Sequence, residues 1–187
     1  MSQPQQKKIT TVTLSVFLEG VEKARATQDH GTPFLCEHLK IVNDDNPASP
    51  QKPPDFTKLA FRYVDFSNLK APEAVCKGSV ALRCDFTGSI WPNAQDRFFI
   101  SRSDVSDANF SGASGFIFYD SYSSVPAKGL TDEQAQSIIP ISNQTKDLLD
   151  TCTPEIFAHI IEQEKRFSEL KATVDALAEQ VRQFSQR

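Results

Sequence analysis

The sequence predicts an α+β fold: an antiparallel, β-rich head (sandwich or partial barrel), then short helices and a long C-terminal coiled-coil helix. Three observations predict it. Apolar and aromatic residues alternate with polar ones through much of 56–122, and composition turns helical after Lys128. From 153 to 187 apolar residues recur in heptad spacing, with no Gly and no Pro after the first turn. The 187 residues can bury a real core. They divide by composition into a head over 1–130, a helical neck over 131–152 and a stalk over 153–187.

The segment 8–42 reads two ways. Val12, Leu14, Val16 and Leu18 alternate with Thr11, Thr13 and Ser15 as in a strand, while Leu14, Phe17, Leu18 and Val21 form a helical stripe. A short strand giving way to a helix near Thr13, which can serve as N-cap, satisfies both. Gln28-Asp29-His30-Gly31 ends that helix, and extended chain resumes from Pro33. Over 43–55, Pro47, Pro50, Pro53 and Pro54 remove donors and fix backbone angles, giving a stiff connector or an exposed ligand segment.

The β pattern follows. Leu59, Phe61 and Tyr63 alternate with Lys58, Ala60 and Arg62. Cys76, Val80, Leu82, Cys84 and Phe86 share one parity against Lys77, Ser79, Arg83 and Asp85, which predicts one long strand with a dry and a wet face. Phe98-Phe99-Ile100 and Phe116-Ile117-Phe118-Tyr119 are further strands, punctuated by Trp91-Pro92-Asn93 and Ser111-Gly112-Ala113-Ser114-Gly115. The sheet accounts for most of the 14 Phe, and the long helix fits a chain with only 7 Gly.

Thr131-Asp132-Glu133-Gln134 has the form of a capping box, Pro140 stops the short helix it opens, and Ser142 or Asn143 caps the next. Thr153-Pro154-Glu155 then starts the long helix. Heptad position a holds Ile160, Phe167, Val174 and Val181. Position d holds Ile156, Gln163, Leu170, Leu177 and Phe184. So strict a repeat specifies a left-handed supercoil seam. About 34 residues make a rod of about 51 Å, longer than the roughly 38 Å width of a 150-residue globule. Its distal seam needs another chain. β-branched a positions with Leu at d favour a parallel dimer, whereas Phe157 and Ala178 on the e side leave room for a trimer.

Chemistry is sparse. A net charge of −4 opposes general nucleic-acid binding, leaving Lys7, Lys8 and scattered loop basics. No apolar run reaches about 18 residues, and no secretion signal is read, so a cytosolic address is expected (a host cytoplasm or a virion among the options) with reduced cysteines. His30 or His38 with a serine would be a catalytic pair without a G-x-S-x-G elbow. Cys36 and His38 share parity, but Cys76 and Cys84 on one strand would lie about 26 Å apart, too far for one metal. Gly112-Ala113-Ser114-Gly115 is a G-x-x-G without nearby basics and reads as a hairpin turn. No catalytic residue, metal or cofactor is assigned. The expected function is a non-enzymatic, homo-oligomeric structural or assembly protein whose head binds a partner protein, a layout that suits adaptors and small virus structural proteins. The alternatives are a nucleic-acid-associated coat or movement-type protein and an enzyme with an unmarked site in the head.

Overall fold

The strands run parallel, which overturns the predicted antiparallel sandwich or partial barrel and places the chain in the α/β class. The computed structural model describes residues 9–26, 33–44 and 52–185. The chain divides into two compact units, 1–138 and 139–187.

In the first unit β1 (Thr10–Thr13) runs straight into α1 (Leu14–Arg25), the expected strand-to-helix switch at Thr13. Thr13 makes no side-chain cap bond there. The Asp44 carboxylate substitutes, accepting from the Ser15 N–H at 3.2 Å and from its hydroxyl. Next come β2 (Phe34–Glu37), β3 (Leu39–Val42), β4 (Leu59–Arg62), β5 (Ser79–Leu82), β6 (Phe98–Ser101), β7 (Phe116–Tyr119) and the short β8 (Tyr122–Ser123). The sheet order is β2-β4-β5-β6-β7, with β1 paired to β3.

Register explains how parallel neighbours arise without a crossover helix between them. Phe34 pairs with Leu59, Ala60 with Val80, Ser79 with Phe98 and Phe98 with Phe116, so the chain returns after 25, 20, 19 and 18 residues. Isolated parallel bridges stack the intervening segments too: Lys40 to Asp65 to Asp85 to Asp104, Lys70 to Ile90 to Asn109, and Asp55 to Val75 to Gln95. The backbone is a coil whose turns lie on one another, a solenoid in which each turn contacts chiefly its neighbours.

The period that builds it is five residues. Phe56, Phe61, Phe66, Ala71, Cys76, Ala81, Phe86 and Trp91 are all buried, and so are Leu59, Val64, Leu69, Ala74, Ser79, Cys84 and Ser89 two residues before the next member. Between each inward pair the chain turns a corner in the left-handed region. Lys58, Tyr63, Asn68, Glu73, Gly78, Arg83, Gly88 and Asn93 all have positive φ, five residues apart. Such corners ordinarily take glycine. Here polar side chains take most of them, a more direct account of the low Gly count than the long helix. The long strand expected over 76–86 is cut at Gly78 and Arg83, leaving β5 with Ser79 and Ala81 inward, and Val80 and Leu82 outward. The turn expected at 111–115 leads to a parallel strand, so it makes no hairpin.

Carboxylates and amides hold the corners. Asp55, Asp65, Asp85, Asp104 and Asn109 each accept the N–H two residues on, from Thr57, Ser67, Thr87, Ser106 and Ser111, at 2.8–3.0 Å. Inside, aromatic rings pack through the coil: Phe61 edge-on to Phe66 at 4.9 Å, Phe66 stacked on Phe86 at 5.0 Å, Phe98 edge-on to Phe116 at 5.3 Å. Trp91 is fully buried and donates to the Ser89 hydroxyl at 2.9 Å, so its one polar atom is satisfied. At the first turns, Phe17 of α1 lies 6.3 Å from Phe56 and 6.1 Å from Phe61. Near β7, α2 (Asp132–Gln136) opens with the expected capping box, and Gln134 Nε2 donates to the Phe116 carbonyl at 2.9 Å.

The second unit holds β9 (Ile139–Pro140), α3 (Asn143–Thr151) and α4 (Pro154–Ser185). Ser142 caps α3, accepting from the Thr145 N–H at 3.0 Å. The 32 residues of α4 make a helix of about 48 Å.

Candidate assembly site

Two stripes run along α4. Phe157 and Ile161 are buried and Glu164 follows them at helical spacing, accepting a 2.8 Å hydrogen bond from the Thr145 hydroxyl of α3. This stripe packs the helix within its own unit. The a/d stripe lies beside it. Ile156, Phe167, Leu170, Val174, Leu177 and Val181 are each more than half exposed; Ile160 is half-buried and Gln163 exposed. The side chain of Phe184 lies outside the described residues.

A groove of about 850 Å³ opens between 140–142 and α4, with Pro140, Ile141, Gln163, Phe167 and Leu170 among its walls. It is continuous with the a/d stripe. From Glu169 to Gln183 every side chain is exposed. Such a stretch gains nothing from packing inside its unit, and an isolated helix of that length is marginal in water. Surface ion pairs, Arg166 to Glu162 at 3.0 Å and Arg182 to Glu179 at 3.4 Å, add only tenths of a kcal/mol each, about 0.3–0.5. Apolar side chains of this size contribute about 1.5–3 kcal/mol each when covered, so covering them outweighs the pairs.

The other candidates scatter. Lys7, Lys8 and His30 lie outside the described residues, as do Pro47 and Pro50. His38 stacks on Tyr63 at 5.2 Å, and His159 is exposed on α4. Cys36 is buried on β2, and burial pushes its thiol up to about 12; burial raises Cys84 to about 12 and also raises Cys76. These thiols are neutral, the wrong state for a nucleophile. The single-strand spacing used to separate Cys76 from Cys84 does not hold, because the chain turns two corners between them. Among the described residues no three His, Cys, Asp or Glu converge as metal ligands, and no helix is long and apolar enough to cross a membrane.

Sequence reasoning missed a second surface. The outward column of the five-stranded sheet is Leu35, Ala60, Val80, Phe99 and Ile117. The signal for it was Asp55-Phe56-Thr57, Asp65-Phe66-Ser67 and Asp85-Phe86-Thr87, whose spacings of ten and twenty are multiples of five. Comparison with known families, curated relatives and solved structures gives no match for this chain.

Proposed function

We propose that this protein is a non-enzymatic, homo-oligomeric interaction protein: α4 joins copies, and the coiled unit presents a surface to another protein. One observation carries the reading. Phe167, Leu170, Val174, Leu177 and Val181 repeat at three- and four-residue steps, and each is at least 54% exposed, the spacing and exposure of a coiled-coil half. β-branched Val174 and Val181 at a, with Leu170 and Leu177 at d, suit two parallel strands. Joining copies multiplies a weak surface through effective concentration.

The test is light scattering on the full chain and on Leu170→Glu/Leu177→Glu. The reading requires a multiple of the 20.8 kDa chain mass that falls to one copy in the double variant. A monomeric wild type, or a variant of unchanged mass, would defeat it.

A further inference from the structure

We infer that the five-stranded face of the coiled unit is a docking trough for an acidic amphipathic helix of a partner protein. This deepens the proposed function by giving the coiled unit's surface a ligand class.

The trough floor is the column of Leu35, Ala60, Val80, Phe99 and Ile117, one outward residue from each strand. Leu35, Val80, Phe99 and Ile117 are between 39% and 56% exposed. Contiguous apolar surface of this kind on a sheet marks an interaction site more often than an isolated exposed residue does.

Charge flanks it on both sides. At the entry corners stand Lys58, Lys77 and Arg97, all exposed. At the exit side stand Arg62, Arg83 and Arg102, with the Arg62 and Arg83 guanidiniums 5.3 and 5.9 Å from the Tyr63 ring. The carboxylates along the same borders are Glu37, which pairs with Arg62 at 3.5 Å, Asp96 and Asp120. Lys77, Arg97 and Arg102 have no ion-pair partner among the described residues. The Arg102 N–H bonds back to Tyr119 and that of Arg83 to Ser101, so these two arginines sit on adjacent turns. A chain of net charge −4 that sets six cations against three carboxylates along one apolar face has a local field opposite to its own total.

Dimensions select the occupant. At about 3.3 Å per residue the two basic borders lie at most roughly 13–20 Å apart, wide enough for a helix of about 10–12 Å. Five strands at about 4.8 Å spacing give a floor of about 19 Å, the length of roughly 13 helical residues. A second copy laid face to face would set cations against cations. Phe99 is the one aromatic ring of the column, flanked by aliphatic Val80 and Ile117, so successive nucleobases find no run of stacking rings there.

The experiment titrates the full chain into a fluorescein-labelled helical peptide of roughly 14 residues, with Leu on one face and Glu on the flanks. A peptide of the same composition in scrambled order, oligothymidine, and phosphatidylserine vesicles serve as competing probes. Saturable binding of the patterned peptide alone is expected, weakened about tenfold or more by Phe99→Glu and by Arg97→Glu/Arg102→Glu. Circular dichroism and thermal melting check that these surface variants fold. Equal binding of the scrambled peptide, or indifference to Phe99→Glu, overturns the inference. So does preference for oligothymidine or vesicles. Leu170→Glu/Leu177→Glu should retain binding of the isolated peptide, which separates this result from failure of the oligomer.

Discussion

The coiled unit and the C-terminal helix both repeat apolar residues at a fixed period, yet they satisfy that repeat in different places. In 56–91 the period is five, and each inward residue meets the corresponding residue of the next turn of the same chain. In 156–181 the period is seven, and apart from half-buried Ile160 the repeated residues are exposed. A period matched by the coil length closes on itself. A period with no second element to meet is the one that the proposed assembly would cover with a second copy, so the two regions should respond differently to the same kind of substitution.

The sharpest way to break that contrast is a pair of truncations. Trp91→Ala removes a fully buried ring between Phe56, Phe66, Phe86 and Phe98 and should cost about 3–5 kcal/mol by urea unfolding. Leu177→Ala should leave the coiled unit's unfolding within about 0.5 kcal/mol and instead lower the copy number at low concentration. Comparable losses in one unfolding transition would erase the distinction. Corners give a smaller effect. A Cβ at Gly129 would sit 2.3 Å from the Ser111 backbone with φ +71°, so Gly129→Ala should lower the melting temperature by several degrees, on the order of 2 kcal/mol or more. Gly78 has φ +68° but open space, and Gly78→Ala should cost only about 1 kcal/mol. Equal losses would mean that backbone strain, not contact between turns, limits the corners.

Smallest is the acid limb. Burial alone would raise the Asp65 carboxyl, but hydrogen bonds from Lys40 and Ser67 outweigh it and hold the group below the usual carboxylate range. Asp55 is lowered in the same way, burial being outweighed by Thr57 and Arg25. A depressed carboxylate stabilises the fold above its unfolded value of about 3.9, and the contribution is lost as pH falls through the folded value. Melting temperature should therefore hold down to about pH 5 and drop below about 4, with a shallower drop in Asp65→Asn. A pH-independent difference between wild type and variant would assign Asp65 no titrating role.

The two repeats were unequally legible. The heptad, the Thr131 capping box, the Ser142 cap and the switch at Thr13 could each be read locally, because a helix writes its period over ten or more residues. The five-residue coil could not be read through a two-residue window. Its inward residues come in pairs two apart, as with Leu59 and Phe61 or Phe98 and Ile100, so any four residues look like an alternating strand. Parity fails only at corners such as Arg83, where a charged residue adopts a conformation usually left to glycine. The outward apolar column was hidden for the same reason: Leu35, Val80 and Phe99 fall in line only when returns of 25, 20 and 19 residues are laid over one another.

The covered ends of the coil have a consequence for polymerisation. Parallel coils expose strand edges at both ends, and identical ends would let molecules add end to end without limit. Here the two ends of the coil are covered by different elements, α1 beside the first turns and α2 beside β7. Phe17 and its helix pack on the aromatic rings of the first turns, and Gln134 occupies a carbonyl of β7 at the other end. Covered in this way, both ends oppose end-to-end addition.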